Sequence, residues 1–517
     1  MKESEKAHDV DHDVKELHSM GYAQELARRM GGFSNFAISF SIICILAGGI
    51  TAFPQGFTAA GGGGIGIGWV VGSVFALIVA FAMGQIASAY PTAGGLYHWG
   101  SILGGRGWGW ATAWFNLLGL IFVTASIDYG VYLLFRDLIV GGVLGVAPEV
   151  TAAWGSVGAW VGVAIILATH AAFNHFGIKL TTMLTDFSGY LIFVVAVLLT
   201  LMLLIFTPVA IDLSRLLTFT NFTGEAGANV WPPNGSIFIA FLLGLLLVCY
   251  TITGFDASAH TSEETRDAAR MVPRGMWQSV FWSFLFGYFM VSTFVLVMPS
   301  VTEAAAQGFG IFPYIMNSSG MPPIVRSLLY IGIVLANYLC GLAALTSTSR
   351  MMYAFARDDG LPMSKQVSSV SPQYRTPVVA IWLSAVLALV ATLYADAFFV
   401  LAAGSAVLLY ISYAMPVAAG LLAEGKSWTH KGPFNLGGLS KPIGVLAVIG
   451  ALVLAWTGFQ PPNDKVLYVT VGLIVALVVL WFALERQRFQ GPPTGERIEE
   501  RQQEIAEIEA KLGGAGK

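Results

Sequence analysis

Three aspartates lie within long apolar stretches of this sequence, at Asp128, Asp186 and Asp256. A charge at membrane depth costs about 2.5–3.5 kcal/mol on insertion scales, so each aspartate requires a specific role. Asp256 could bind and release a coupling proton, or it could cap the short helix that starts at Ala257. Asp128 could attract amines in an outer vestibule or lie near the interface with Arg136, and Asp186 could serve an inner gate.

Two apolar segments, one in each half of the chain, are interrupted at corresponding places. The first interruption covers residues 47–51 (AGGIT), and the second covers residues 251–256 (TITGFD), directly after Tyr250. Lipid offers no hydrogen-bond partner, so a membrane helix unwinds only where its freed backbone groups meet protein, water or a ligand. A matched pair of interrupted helices therefore indicates the substrate site of a secondary transporter.

The composition is that of an integral membrane protein. Of the 517 residues, 56% are apolar and 11% are charged, whereas soluble proteins carry about 25% charged residues. Stretches of about 20 apolar residues can span a bilayer, and the sequence contains twelve of them. The predicted spans are residues 34–58, 66–90, 107–135, 153–172, 178–207, 235–264, 276–300, 324–355, 377–395, 397–422, 441–459 and 465–484.

The connections between these spans predict the orientation. Sixteen Lys and Arg residues lie in the connections and helix ends on the side of the N-terminus, and four lie on the other side. Positive residues concentrate on the cytoplasmic side of membrane proteins. We therefore predict a multi-pass protein of the plasma membrane with cytoplasmic N- and C-termini.

The positions of the interruptions predict an internal repeat. They fall in the first and sixth helices, and an odd number of helices inverts a second copy, so helices one to five and six to ten can be inverted repeats. The predicted fold class is all-α integral membrane, with a leucine-transporter-like 5+5 inverted repeat plus two helices. The predicted boundaries are 1–30 for the N-terminal tail, 31–207 and 234–424 for the repeats, 440–486 for the last two helices, and 487–517 for the C-terminal tail.

Three local motifs carry a family resemblance. They are residues 90–99 (YPTAGGLYHW), residues 254–274 (GFDASAHTSEETRDAARMVPR) and residues 349–362 (SRMMYAFARDDGLP). Together they resemble the amino acid–polyamine–organocation superfamily, and most closely its amino acid/choline transporter branch. The resemblance implies secondary active import of an amino acid or a GABA-like zwitterion by alternating access, coupled to a proton or to sodium. Alternatives are transport of choline, ethanolamine or a polyamine, and a nutrient sensor that does not transport.

The resemblance also implies how the solute is held. In similar proteins the substrate carboxylate meets amide groups at the first break, and the amine meets carbonyl groups at the second. A helix N-terminus favours an anion, glycine permits close approach, and Tyr250 could add a cation–π contact. The glycines could instead serve only helix packing. The candidate substrate-binding residues are Ala47, Gly48, Gly49, Ile50, Thr51, Tyr250, Thr251, Thr253 and Gly254.

Charged and hydroxyl side chains near the inner ends of helices could gate or couple transport. Glu263, Glu264, Arg350 and Arg357 are predicted to form a cytoplasmic charge network at the inner gate, or only to anchor the topology. As exposed pairs they would add little stability. Some superfamily members carry a lysine in helix five where sodium would bind, and residues 186–192 contain none. The hydroxyls of Thr346 and Ser347 could form a weak sodium site, or bond to the preceding turn.

Other classes find little support. The inner loops show no metal cluster, no pairing of nucleophile and base and no cofactor motif, so we predict no enzyme, no cofactor and no nucleic-acid partner. The glycine run at residues 61–68 is predicted to be a flexible outer connection, and the His/Asp cluster at residues 8–13 a solvated tail. Residues 496–512 predict a charged helix on the protein or membrane surface. Its apolar stripe is Ile498, Ile505, Ile508 and Leu512.

Overall fold

The computed structural model describes residues 12–394 and 398–511, which are organised as helices. Ten helices in this part of the chain are long and apolar enough to cross a membrane, and two shorter apolar helices accompany them. This confirms the predicted all-α, multi-span membrane architecture. The spans are α1 (Gly32–Thr51), α2 (Phe53–Ala89), α3 (Arg106–Val143), α4 (Gly155–His175), α5 (Ile178–Phe206), α6 (Ile237–Thr251), α7 (Ala268–Val297), α8 (Pro323–Arg357), α9 (Val378–Tyr394), α10 (Phe398–Ala423), α11 (Ser440–Gly458) and α12 (Asp464–Arg488).

The segment Phe53–Ala89, named α2, consists of two helices that meet at a sharp turn at Ala60 and Gly61. The outer connection predicted at residues 61–68 is therefore this tight turn followed by helix, and not a flexible loop. Only Gly61, with φ +66°, and the residue before it leave the helical conformation. The chain folds back there, since a Cβ placed on Gly64 would lie 2.9 Å from the carbonyl oxygen of Gly56. The glycines after the kink let another loop pack directly on the helix: a Cβ on Gly63 would lie 2.9 Å from the ring of Phe219.

The helix pairing follows the pattern of an inverted repeat. Helix α3 packs on α10 and α8 packs on α5, while α1 packs on α7 and α2 packs on α6. In an inverted repeat, helix n of the first unit corresponds to helix n + 5 of the second. This correspondence turns the α3–α10 pair into the α8–α5 pair and the α1–α7 pair into the α6–α2 pair, as two five-helix units require. The packing therefore supports the repeat, whose boundaries at residues 31–207 and 234–424 stay a prediction.

Both tails pack against the end of the bundle that carries residues 258–268. We call this predicted cytoplasmic end the inner face. A helix covers residues 12–19, and Leu17, Leu26 and Met30 are fully buried. Within the predicted solvated cluster His12 is exposed, but Asp13 is buried and accepts hydrogen bonds from the N–H groups of Asp267 and Ala268, so the prediction was wrong at Asp13. Residues 8, 9 and 11 of the predicted His/Asp cluster lie outside the described part of the chain.

The C-terminal helix, Glu496–Lys511, packs on the same face, as one of its predicted locations allowed. Ile505 of the predicted apolar stripe is buried. Leu512, the last predicted member of that stripe, lies outside the residues that the structure describes.

Candidate functional site

Helix α1 is interrupted at Cys44, before the predicted segment 47–51. Helical stretches end at Ile43 and resume at Ile45, and Cys44 has φ 13° and ψ 88°. The amide groups of Ala47 and Gly48 both donate to the Cys44 carbonyl, over 2.8 and 3.2 Å. The first backbone amides of the outer half-helix are therefore those of Ile45 and the following residue, and the predicted residues Ala47 to Thr51 are helical.

Gly48 and Gly49 serve close packing, which was the alternative interpretation of this glycine pair. A Cβ on Gly48 would lie 2.8 Å from the Cα of Thr251, and one on Gly49 would lie 2.9 Å from the Cε of Met290. Gly48 thus brings α1 into backbone contact with the last residue of α6. The hydroxyl of Thr51 donates to the Ala47 carbonyl over 2.8 Å, which satisfies it locally.

The second break lies where the sequence predicted it. Helix α6 ends at Thr251, and a short helix resumes at Ala257. Between them Gly254 has φ +84°, a conformation that favours glycine, and a Cβ there would collide with Ile42 of α1. The two interrupted segments therefore contact each other on both sides of the break.

The end of α6 presents backbone acceptors. The carbonyl groups of Cys249, Tyr250 and Thr251 accept no hydrogen bond from any described backbone N–H. The next carbonyl, that of Ile252, accepts a hydrogen bond of 2.6 Å from the hydroxyl of Tyr410 in α10. The last carbonyl groups of a helix have no partner within the helix, so these three are available to accept from a bound donor.

The side chain of Tyr250, beside these carbonyl groups, reaches from α6 to α3. Its hydroxyl donates to Ser126 over 3.2 Å, and its ring meets that of Phe398 edge-on with centroids 5.8 Å apart. The hydroxyl of Thr253 lies 3.4 Å from that of Tyr413. The predicted residues of the second break thus lie together, between α3 and α10.

Asp256 does not cap the short helix, so that interpretation was wrong. Its Oδ1 accepts a hydrogen bond of 2.7 Å from Tyr413, and its Oδ2 accepts from Asn116 over 3.0 Å and lies 3.2 Å from His260 Nε2. The hydroxyl of Tyr413 also accepts from the N–H of Gly254 over 3.1 Å. The Asp256 carboxylate therefore positions Tyr413, whose hydroxyl in turn binds the backbone at Gly254 in the break.

Sequence reasoning missed the partners of Asp256 in α3 and α10. Asn116 and Tyr413 stand in long apolar stretches, where a polar side chain is itself a signal, but their distance from Asp256 in the chain gave no reason to join them. His260 follows Asp256 by one helical turn and could have been found from that spacing.

The other two membrane aspartates have different surroundings. Asp128 is fully buried and lies 3.3 Å from His170 of α4, which contradicts the alternative that placed it near the interface with Arg136, while its role in an outer vestibule stays a prediction. Arg136 pairs with its neighbour Asp137. Asp186 is half-buried and accepts a hydrogen bond of 3.0 Å from Ser34, near the inner end of α1. Its role at an inner gate stays a prediction.

The four predicted gating residues form two bidentate ion pairs. Arg357 donates to both carboxylate oxygens of Glu263, over 2.8 and 3.0 Å, and Arg350 donates to both oxygens of Glu264, over 3.0 and 3.2 Å. The expectation of exposed pairs was wrong, because both glutamates and Arg350 are fully buried. Burial alone would raise the pKa of Glu263, but Arg357 and the N–H of Ala93 hold it below its usual value.

The N-terminal segment covers these pairs from the inner face. The N–H of Met30 donates to the Glu264 carbonyl over 2.8 Å, and the side chain of Gln24 donates to the Glu263 carbonyl over 2.9 Å. The C-terminal helix fastens this segment in turn. Its Glu509 accepts a hydrogen bond of 2.8 Å from the N–H of Gln24 and lies 2.8 Å from His18 Nε2.

We expect Glu509→Ala to loosen the N-terminal segment. A hydrogen bond to a charged group contributes about 1.5–3 kcal/mol, so amide hydrogen exchange over residues 17–24 should rise by about tenfold or more. Glu507→Ala, on an exposed position of the same helix, is the matched control. Equal exchange in the two variants would show that Glu509 does not fasten the segment.

Of the two candidate sodium hydroxyls, only that of Thr346 has protein partners among the described residues. The hydroxyl of Thr346 lies 2.8 Å from the Leu342 carbonyl and 2.8 Å from Asn174 Oδ1. The hydroxyl of Ser347 is buried and has no hydrogen-bond partner in the described part of the chain. Thr346 thus bonds to the preceding turn, as one interpretation of these residues predicted.

Comparison with known proteins decides the family. A family model described as amino acid permease matches residues 30–484. The chain belongs to the amino acid permease family. This permease is 33% identical to the amino-acid permease BAT1 of Arabidopsis thaliana, with 93% of this chain and 96% of that protein covered. It is 32% identical to the amino-acid permease BAT1 homolog of Oryza sativa subsp. japonica, with 92% and 95% covered.

A yeast relative has a narrower name. The GABA-specific permease of Saccharomyces cerevisiae is 28% identical to this permease, with 86% of this chain and 76% of that protein covered. The predicted superfamily is confirmed, and the permease is a membrane transporter of amino acids and not an enzyme.

Proposed function

We propose that this permease imports an amino acid or a GABA-like zwitterion into the cytoplasm by alternating access, driven by protons. The observation that carries the proposal is the contact between the two breaks, where Gly48 lies against Thr251 beside three free carbonyl groups of α6. The plasma membrane and cytoplasmic termini predicted from the Lys and Arg distribution complete the proposal.

The free carbonyl groups favour a protonated amine over a quaternary one. An ammonium group has three N–H donors, and Cys249, Tyr250 and Thr251 offer three carbonyl acceptors close together. Choline has no N–H donor, and quaternary amines are typically held in aromatic cages. The rings of Tyr250 and Phe398, one edge-on to the other, are a small part of such a cage. An amino acid is therefore preferred to choline.

The carboxylate of the substrate is assigned to the other break. The outer half of α1 begins at Ile45, where unbonded amides and the positive end of the helix dipole favour an anion. This replaces the predicted amides of Gly48 and Gly49, because the Gly48 amide is bonded to Cys44 and Gly49 lies within the helix.

Uptake into proteoliposomes tests the proposal. Purified permease is reconstituted and given labelled GABA, choline and a panel of amino acids, with proton and sodium gradients imposed separately. We expect accumulation of at least one amino acid under the proton gradient, and none of choline. Accumulation driven only by sodium would contradict proton coupling, and no accumulation under either gradient would contradict the transport function itself.

A further inference from the structure

A second buried aspartate–histidine pair lies apart from both breaks. His170 Nδ1 of α4 is 3.3 Å from Asp128 Oδ1 of α3, and both side chains are fully buried. No described residue forms a hydrogen bond of good geometry with either carboxylate oxygen or either ring nitrogen. Asp256, by contrast, has three polar side chains around its carboxylate. The two buried carboxylates therefore differ in the number of polar side chains that contact them.

The fold makes room for this pair. A Cβ placed on Gly341 of α8 would collide with Asp128 Oδ1 and would lie 2.7 Å from His170 Cε1. The ring of Tyr338 packs on the imidazole, with centroids 4.4 Å apart, and its hydroxyl donates to Thr169 over 2.6 Å. A glycine at this point on α8 is what lets the two polar side chains meet inside the bundle.

Few other titratable groups face the pair. From α8, Tyr338 and Cys340 lie within electrostatic reach of Asp128. From α1, Cys44 lies against the thiol of Cys340. Among the described residues no Lys or Arg forms an ion pair with Asp128, and His170 is its one ion-pair neighbour.

This arrangement suits one shared proton. With the proton on Asp128 Oδ1 and a neutral imidazole beside it, the pair has no net charge. Without that proton the pair carries a net negative charge, which is costly to bury away from water. The pair therefore keeps its proton while it is enclosed and can release it when water reaches it from one side of the membrane.

The pair is joined to both breaks through its neighbours in the chain. Ser126, which stands two residues before Asp128 on α3, accepts a hydrogen bond from Tyr250 at the second break. Cys340, beside Gly341 on α8, donates from its thiol to the Ile42 carbonyl over 3.2 Å at the first break. Residues close to the pair in the chain therefore contact both breaks.

The pair is also joined to the inner gate. The side chain of Asn174, one turn along α4, donates to the His170 carbonyl over 3.1 Å. Its Oδ1 lies 2.8 Å from the Thr346 hydroxyl and 3.4 Å from Arg350 Nη1. Arg350 is the partner of Glu264, so polar contacts run from the pair to the buried ion pairs of the inner face.

We propose that Asp128 and His170 together bind the proton that drives transport, with Asp256 positioning the break in α6. This inference rests on the proposed function, since it names the proton site of that transport cycle. The only bond that changes is the O–H bond of Asp128, with His170 as its neighbour, and the proton comes from water on one side and leaves to water on the other.

Infrared difference spectroscopy of the purified permease tests the site without any substrate. The spectra compare low and high pH, and a protonated buried carboxyl gives its own band. We expect this band in the unmodified permease and in Asp137→Asn, which alters an aspartate paired with Arg136. We expect its loss in Asp128→Asn. A band that persists in Asp128→Asn, or that disappears instead in Asp256→Asn, would overturn the proposal.

Transport assays give the second readout. By linkage, the substrate affinity of the unmodified permease should change about 5–150-fold between the two protonation states. In Asp128→Asn and in His170→Gln we expect that affinity to be independent of pH, with substrate exchange retained and proton-driven accumulation lost. Unchanged pH dependence in both variants would contradict the proton site. A lack of uptake in the unmodified permease would contradict the proposed function and leave the infrared result standing.

Discussion

Replacing Gly48 by leucine is expected to abolish substrate binding while the protein still inserts into the membrane. The Cβ of any larger residue would lie 2.8 Å from the Cα of Thr251. Because that neighbour is backbone, no flexible side chain can move aside, and α1 and α6 must separate. Overpacking costs about 1–3 kcal/mol. Where this cost falls on the substrate-bound state, each 1.4 kcal/mol weakens the binding affinity about tenfold.

Gly472→Leu is the matched control for this prediction. Gly472 lies in α12, and a Cβ there would have no atom within 4 Å. Equilibrium binding of a labelled amino acid to the purified variants is the measurement, with a thermal melt to confirm folding. If Gly48→Leu bound substrate as well as Gly472→Leu, the contact between the two breaks would not be part of the site.

Replacing Arg350 by alanine is expected to cause the largest loss of stability. The substitution leaves Glu264 buried without its bidentate partner, and breaking a buried ion pair in this way costs about 3–5 kcal/mol. The same change removes the contact from the inner face to Asn174. Thermal denaturation of the purified protein should therefore show a marked fall in melting temperature.

Arg270→Ala provides the comparison for this second prediction. Arg270 pairs with Asp267 at 3.7 Å, and its side chain is 59% exposed, so removing it should change stability little. Glu264→Gln combined with Arg350→Met should recover much of the loss, because it leaves no buried charge. An Arg350→Ala protein as stable as Arg270→Ala would contradict a structural role for the buried pair.

The sequence was a good guide wherever a local pattern decides the structure. Apolar length alone marks the spans, and Gly254 marks the second break because a positive φ is required there. The charges after α6 and at the end of α8 could be paired because Glu263, Glu264, Arg350 and Arg357 share one predicted side of the membrane.

The first break shows where local patterns mislead. Glycines suggest unwinding, yet in membrane bundles they also let backbones approach. At Gly48 the neighbouring α6 decides between these outcomes, and the interruption falls at Cys44 instead. Which side chains meet inside the bundle is a tertiary fact of the same kind. Asn116 reaches Asp256 and His170 reaches Asp128 across helices, and no spacing in the sequence relates them.

The inner face was also beyond local reasoning. Charged tails of this composition are commonly solvated, but the segment around Leu17 and Met30 finds a partner surface beneath α6 and α8. Each tail is then stabilised by the other, through His18 and Glu509. Such mutual stabilisation requires both chain ends to lie at the same face of the bundle. A prediction made one segment at a time contains no information about this proximity.

An experimental structure of the permease with a saturating amino acid tests the central claim most directly. We predict ligand density between the two breaks, with the amine within about 3 Å of the carbonyl oxygens of Cys249, Tyr250 or Thr251. The carboxylate should face the start of the outer half of α1 at Ile45. Ligand density elsewhere in the bundle, with none between the two breaks, would contradict this account.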